Sequence, residues 1–429
     1  MVSAGERFTC RIGRAKSQAI AKLLAMKLLW VKSGTLVPPD SGGTIRSFNL
    51  LKELAKKHEI TLFLFYGAHQ NDQHSELNRI FTDVVTLPLP LPAKKRGVAE
   101  ALAYARNFLS PWPYSVSKYC RPEAMSRLRK LLHERKFDVL ICDFLFATEA
   151  VPWDFPLPKI LFTHNVEEII WRRSFEVALS PVWKLVAWRE FRRMSTVERK
   201  YVRLADQVLA VSENDRHHFC TYAPPEKITV VPTGVDVDYF YPLPRREQPD
   251  RLVFTGSMDS LANEDAILYL HGSILPLIRK EIPQAQAWVV GRSPSQRLRN
   301  LSAQDAGIHV TGSVEDVRPF IAESPVYVVP IRIGGGTRIK IFEAMAMGKA
   351  VVSTSVGAEG LPVTHGKDIL LADTPEEFAA QTVRLLHDKS ARDALGASAR
   401  RLVEENYSWA AVVGSIDAVL QKALAIPAL

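Results

Sequence analysis

Lys340 and Glu343 stand three residues apart in PIRIGGGTRIKIFEAMAMG (330–348), a spacing that puts a cation and a carboxylate on one face of a helix. Gly334, Gly335 and Gly336 come just before, followed by Thr337 and Arg338. Three consecutive glycines carry a large backbone-entropy cost, so they point to a chain that must turn without Cβ clashes and come close to a ligand. A helix starting there, capped by Thr337, offers free N–H groups beside Arg338 and Lys340, a combination suited to a diphosphate. Glu343 lies about 9 Å further along the axis at about 1.5 Å per residue. At that depth it is out of phosphate reach and placed to accept hydrogen bonds from the vicinal hydroxyls of a ribose. Diphosphate plus ribose describes a nucleotide, and the lack of a Gly-Lys-Ser/Thr phosphate loop favours a nucleotide-sugar over ATP. The bland alternative is an ordinary strand, loop and helix with a solvated Lys–Glu pair.

Such a segment needs a buried strand to launch it. YVVP (327–330) supplies one, and the helix, about 337–347, buries Ile339, Phe342 and Ala346. From Arg251 onward, RLVFTGSMD, AQAWVVGRS, GIHVTGS, SPVYVVP and KAVVSTS read as five strands of a parallel sheet covered on both faces. Gly256 ends the first of them, where a ligand can approach. Gly312, Ser313 and Val314 follow the third, a seat for the nucleotide base.

The front half reads the same way. MKLLWV opens it as a strand, Pro38 to Gly43 form a loop, and Thr44–Lys57 form a helix whose inner face carries Phe48, Leu51 and Leu54. Gly42 and Gly43 fall at the carboxyl end of the first strand, the ligand side of an open α/β sheet, and Arg46 adds positive charge there. Strands recur at FDVLICD (137–143) and KILFT (159–163). His164 follows the latter directly, able to hydrogen-bond a sugar or the reacting oxygens and to titrate near neutrality. Either of Glu167 and Glu168, a turn later, could serve as a base, with solvated helix-start carboxylates as the default reading. The stretch 82–122 reads as a proline-rich, basic connector followed by aromatics and cations, equally a surface for an acceptor or a membrane and a plain surface excursion. PVWKLVAWREFRRMSTVERKYVRL (181–204) is a basic amphipathic helix that suits anionic lipid or its own domain equally.

A chain of 429 residues, 47% hydrophobic and 24% charged, exceeds what one core supports. The expected division is a basic, poorly ordered extension (1–25), a front domain (26–240) and a back domain (241–406), with a terminal helix (407–429) packing onto the front. Residues 1–225 hold 34 Lys and Arg against 22 Asp and Glu, and the remainder holds 21 against 24. A basic front half points to an anionic neighbour, and the lack of zinc-finger, RNP or basic–aromatic groove patterns argues against nucleic acid. Cys10, Cys120, Cys142 and Cys220 show neither metal-ligand nor disulfide spacing and read as reduced thiols. No apolar run reaches the ~18 residues of a membrane span.

Residues 330–361, with THNVE near His164 and TGVD near Val235, resemble the retaining GT-B glycosyltransferases of family four, in the sub-group written GGGTRxKxxEAMAxG. In that family a Glu-x7-Glu motif ends in the glutamate that holds the ribose; Glu343 matches it, while the position of the first glutamate is Gly335. The resemblance implies two Rossmann-like α/β domains facing each other across a cleft and transfer of a hexose-type sugar from a nucleoside diphosphate to a glycan or lipid-linked acceptor with retention. It implies catalytic roles for His164, Arg338 and Lys340. Donor contacts fall to Gly42, Gly43, Gly256, Gly312, Ser313, Val314, Gly334, Gly335, Gly336, Thr337, Arg338, Lys340 and Glu343. No metal and no cofactor is expected, since no Asp-x-Asp motif stands in a suitable loop. The expected place is the cytoplasm, peripherally on the inner face of the cell membrane, in exopolysaccharide or glycolipid synthesis. A nucleotide-sugar 2-epimerase on the same scaffold and a non-catalytic nucleotide-sugar or glycan binder remain as alternatives. An epimerase would turn donor over without acceptor, and a binder would release no nucleotide.

Overall fold

Strands β1 (Lys27–Ser33), β2 (Glu59–Gly67), β3 (Asp83–Leu89), β4 (Val139–Asp143), β5 (Lys159–Phe162), β6 (Gln207–Ala210) and β7 (Ile228–Val230) make one sheet in a computed structural model, which describes residues 25–39, 42–67, 74–89, 102, 104–178, 180–333 and 339–425. Their order is β3-β2-β1-β4-β5-β6-β7, with every pairing parallel. Leu28, Leu29, Trp30 and Val31 of β1 are all fully buried, because crossover helices cover both faces of a parallel sheet.

A second sheet holds β8 (Arg251–Thr255), β9 (Gln286–Val290), β10 (Ile308–Gly312), β11 (Val326–Val329), β12 (Ala350–Ser353) and β13 (Leu370–Leu371) in the order β10-β9-β8-β11-β12-β13, again parallel. Both are doubly wound α/β sheets whose order reverses beside the first strand, between β1 and β4 and between β8 and β11. Ligands bind at the carboxyl ends of the strands at such a reversal. The chain divides into two compact units, a front one ending at Val231 and resuming at Val413, and a back one running from Pro232 to Val412.

The helices that bear on function are α1 (Gly42–Leu54), α2 (Glu167–Val177), α3 (Pro181–Leu204), α4 (Ile339–Ala346) and α5 (Trp409–Leu424). In the front unit Asp417 of α5 meets Lys57 at 2.5 Å and His58 at 3.1 Å. In the back unit Phe342 of α4 stacks on Tyr407 with ring centroids 4.8 Å apart.

Several expectations change. Asp83–Leu89, read above as connector, is strand β3; Pro88 lacks an N–H, and only an edge strand, free on one side, accommodates it. β13 is two residues long, too short to leave a pattern. Gly42 and Gly43 form the first turn of α1 rather than a loop, and α1 stops at Leu54. Its inner face is Leu50, Leu51 and Leu54, with Phe48 half-buried. In α4, Ile341, Phe342, Ala344, Met345 and Ala346 are buried while Ile339 is half-buried. The buried face is wider than one stripe because the helix Lys389–Asn406 also covers α4, with Arg400 donating to the Ala346 carbonyl.

Candidate functional site

In the back unit the carboxyl ends of β8, β9 and β10 carry Gly256, Gly291 and Gly312. They are joined by bonds from Gly256 N–H to the Val290 carbonyl (3.0 Å) and from Gly291 N–H to the Gly312 carbonyl (3.2 Å). Gly256 has φ 157°, and a Cβ there would lie 2.6 Å from Lys340 Nζ and 2.9 Å from Asn263 Nδ2. Bare backbone at this point is what lets the cation approach the strand end. Lys340 Nζ donates to Asn263 Oδ1 at 2.9 Å and sits 4.0 Å from the centre of the Phe254 ring. Asn263 is held in turn by its Nδ2, which donates to the Ser257 carbonyl at 2.8 Å.

Glu343 lies one turn further into α4 and is half-buried. Burial pushes its carboxyl up to about 7, with the Lys340 charge pulling the other way. Beneath it, the fully buried Tyr327 hydroxyl stands 2.5 Å from Thr255 Oγ1. Burial, and then the Glu343 charge, raise its pKa. Gly312 has φ 74° and open space around its Cα, Ser313 is exposed and Val314 half-buried. Gly334, Gly335, Gly336, Thr337 and Arg338 lie outside the described residues. The fold therefore gathers Gly256, Lys340 and Glu343 at one carboxyl edge, with Gly312 two strands along it.

In the front unit His164 follows β5 with its side chain 7% exposed. Its Nε2 lies 2.8 Å from Asp143 Oδ1, at the end of β4, and 3.4 Å from Ser47 Oγ of α1. Asp143 also accepts from Trp30 Nε1 at 2.8 Å and lies 3.4 Å from Lys32 Nζ, which donates to Ser47 Oγ at 3.3 Å. Burial works against an ionised Asp143, yet Lys32 and His164 hold it well below the usual carboxylate range. Burial lowers His164 to about 4 despite Asp143, so the ring is neutral, with Nε2–H donating to the carboxylate. Nδ1 then carries a lone pair; it is buried and unpartnered, and a Cβ on Gly43 would lie 3.8 Å from it.

Lys32, Ser47 and Asp143 escaped the sequence reading. The available signals were a lysine interrupting an apolar strand and an aspartate closing FDVLICD, both at carboxyl ends of adjacent strands. Arg46 does not add free positive charge. It is buried over the Phe162 ring at 4.3 Å, donates to the carbonyls of Thr163 (2.6 Å) and Val231, and is lowered to about 9 by burial. Glu167 and Glu168 are buried, not solvated, because Glu198 of α3 reaches their backbone N–H groups at 2.9 and 3.2 Å and caps α2. Burial pushes Glu167 up to about 7, while Glu168 pairs with Arg199 at 3.1 Å. Glu168, Glu198 and His218 bring potential metal-ligand atoms within 4.8 Å of one another, but these carboxylates already serve as cap and ion pair.

Residues 41–239 match the family model described as Glycosyltransferase Family 4, and residues 249–388 match that of Glycosyl transferases group 1. The chain belongs to the glycosyltransferases of this GT-B, family-four-like type, and it is a transferase enzyme. Over 402 residues it is 21% identical to an uncharacterized 44.6 kDa protein in the cps region of Klebsiella pneumoniae, covering 91% of this chain and 98% of that one. Over 404 residues it is 24% identical to a GDP-mannose-dependent alpha-(1-6)-phosphatidylinositol monomannoside mannosyltransferase of Mycolicibacterium smegmatis, covering 87% and 93%. Among solved structures it is similar to sucrose-phosphate synthase from Thermosynechococcus elongatus, with a TM-score of 0.69 at 17% identity over 92% of this chain and 98% of that one.

Proposed function

We propose that this glycosyltransferase moves a hexose-type sugar from a nucleoside diphosphate to a hydroxyl of a glycan or lipid-linked acceptor, with retention at the anomeric carbon, in polysaccharide or glycolipid synthesis. The observation that carries the proposal is the pairing of Lys340, drawn to Gly256 and Asn263 at the strand ends, with the half-buried Glu343 one turn behind it. Lys340, Arg338 and the amides of residues 334–337 take the diphosphate; Glu343, once ionised, accepts from the ribose hydroxyls; Gly312 to Val314 hold the base. In the front unit the His164 Nδ1 lone pair accepts a hydrogen bond from a sugar hydroxyl, and Gly43 leaves room for it.

The reaction breaks the bond from the anomeric carbon to the diphosphate oxygen and forms one to the acceptor oxygen. The acceptor proton passes to the departing phosphate. Charge growing on the diphosphate is met by Lys340, which Asn263 holds before the reaction, and by Arg338, so no metal is assigned a step. The relatives' printed names support this reading, one being GDP-mannose-dependent and acting on a phosphatidylinositol mannoside, another lying in a cps region. A lipid-linked acceptor places the enzyme on the inner face of the cell membrane; no described helix is long and apolar enough to cross one.

The test is release of free nucleotide from a panel of UDP-, GDP-, ADP- and dTDP-sugars with and without lipid-linked or glycan acceptor, with the product's anomeric configuration read by NMR. Acceptor-dependent release supports transfer. Turnover without acceptor, or no release at all, overturns it in favour of an epimerase or a binding protein.

A further inference from the structure

Among the described residues of the front unit, α3 carries an apolar surface that is left uncovered. Along α3 the positions 185, 188 and 192 recur at helical spacing and share a face. Leu185 is 52% exposed, Trp188 46% and Val182, a turn earlier, 71%. Leu109 is 93% exposed on a loop that Arg189 fastens to α3. The buried Arg189 guanidinium donates to the carbonyls of Asn107 (2.6 Å), Phe108 (3.1 Å) and Ser110 (2.8 Å), and pairs with the buried Glu190. On the opposite side of α3, Trp183 meets Tyr104 at 5.7 Å and Trp171 of α2 at 6.5 Å between ring centres, contacts that pack α3 onto its own unit and leave the Leu185 and Trp188 face outward. A desolvated arginine spent on holding a nearly bare leucine in place is hard to reconcile with chance exposure.

The rim decides what covers this face. Arg172, Arg173, Lys184, Arg192 and Arg193 are all exposed. Among the described residues from 167 to 193, Glu176 is the one exposed carboxylate, and it lies 3.8 Å from Arg172. Two copies meeting here would press like charges together, whereas an anionic bilayer offers phosphates to the cations and an acyl boundary to the apolar side chains. Tryptophan favours that boundary, where one side of its ring system is apolar and the other wet.

We propose that the face formed by Leu109 with Leu185 and Trp188 of α3 docks the enzyme on the headgroup layer of an anionic bilayer. The apolar side chains enter the layer, and the surrounding lysine and arginines bind lipid phosphates. This deepens the proposed function, resting on it only for the reason to be at a membrane, the lipid-linked acceptor.

The full chain is tested by flotation with vesicles of phosphatidylethanolamine and phosphatidylglycerol, and with phosphatidylcholine alone. The unmodified chain floats with the anionic vesicles, weakly at high salt, and not with phosphatidylcholine. Combined Leu109→Ser, Leu185→Ser and Trp188→Ser lowers partition about tenfold or more. Combined Lys184→Glu, Arg192→Glu and Arg193→Glu lowers it about a hundredfold at low salt. All three forms keep their thermal upshift with nucleotide-sugar, which shows that the variants fold. Equal flotation of the apolar variant, no flotation of the unmodified chain, or a dimer that the apolar variant dissolves would overturn the docking face. Absence of any nucleotide-sugar upshift in the unmodified chain would instead overturn the donor reading, whatever the vesicles show.

Discussion

Glu343 ties donor binding to pH in a way that can be worked out in advance. Its carboxyl is pushed up to about 7 by burial, so near neutrality about half of the free enzyme carries a proton there. Only the ionised form accepts from both ribose hydroxyls, so binding must expel that proton. Affinity then falls about tenfold between about pH 8 and about pH 6, and binding near pH 7 releases about half a proton. Isothermal calorimetry with an intact nucleotide-sugar, whose diphosphate has no group titrating near neutrality, reads both quantities when run in buffers of different ionisation enthalpy. Glu343→Gln keeps an acceptor oxygen but cannot titrate. It should bind about tenfold or more weakly at the upper end of the range, as expected for loss of a charged hydrogen-bond partner, and show no pH slope. Lys340→Ala removes the charge that holds the pKa down, so the residual slope should move to higher pH. A flat profile in the unmodified chain, or the same slope in Glu343→Gln, would refute the assignment of the ribose to this carboxylate.

Lys340→Ala should itself weaken nucleotide-sugar binding about ten- to a hundredfold while leaving the melting temperature within a few degrees, checked by calorimetry and thermal unfolding. Gly43→Ala, whose methyl would lie 3.8 Å from the His164 Nδ1, should lower turnover about tenfold or more with nucleotide affinity unchanged; an unaltered rate removes the lone pair from the reaction. His164 is lowered to about 4 by burial, so between its ordinary value and about 4 the unfolded chain binds a proton that the folded one does not. Folding stability therefore falls as pH drops through that window, by up to about 3 kcal/mol, and denaturant titrations of His164→Asn should lose that slope.

Where function showed in the sequence, it did so through residue types that local structure alone would not choose. Three consecutive glycines are a poor choice for stability, and the structure puts Lys340 and Glu343, which follow them at helical spacing, at a strand-end edge beside Gly256. The strands were legible for a related reason, since a sheet covered on both faces demands unbroken apolar runs such as those of β1 and β8. β3 stayed hidden because Pro88 and a half-buried edge strand imitate a connector. The web around His164 stayed hidden because its partners come from β1, α1 and β4, with Trp30 and Asp143 separated by 113 positions. Such a pairing exists only once the order β1-β4-β5 is known. Arg46 shows the opposite error: a cation near a strand end reads as a ligand group, yet two backbone carbonyls and a phenyl face consume it.

Hydrogen–deuterium exchange on the full chain, with and without saturating nucleotide-sugar, reaches the donor site most directly. Protection is expected on peptides spanning 254–263 and 334–346, and it should vanish from the second of these in Glu343→Gln at the same ligand concentration. Protection confined to other peptides, or none under conditions where calorimetry shows binding, would contradict a donor held at the start of α4.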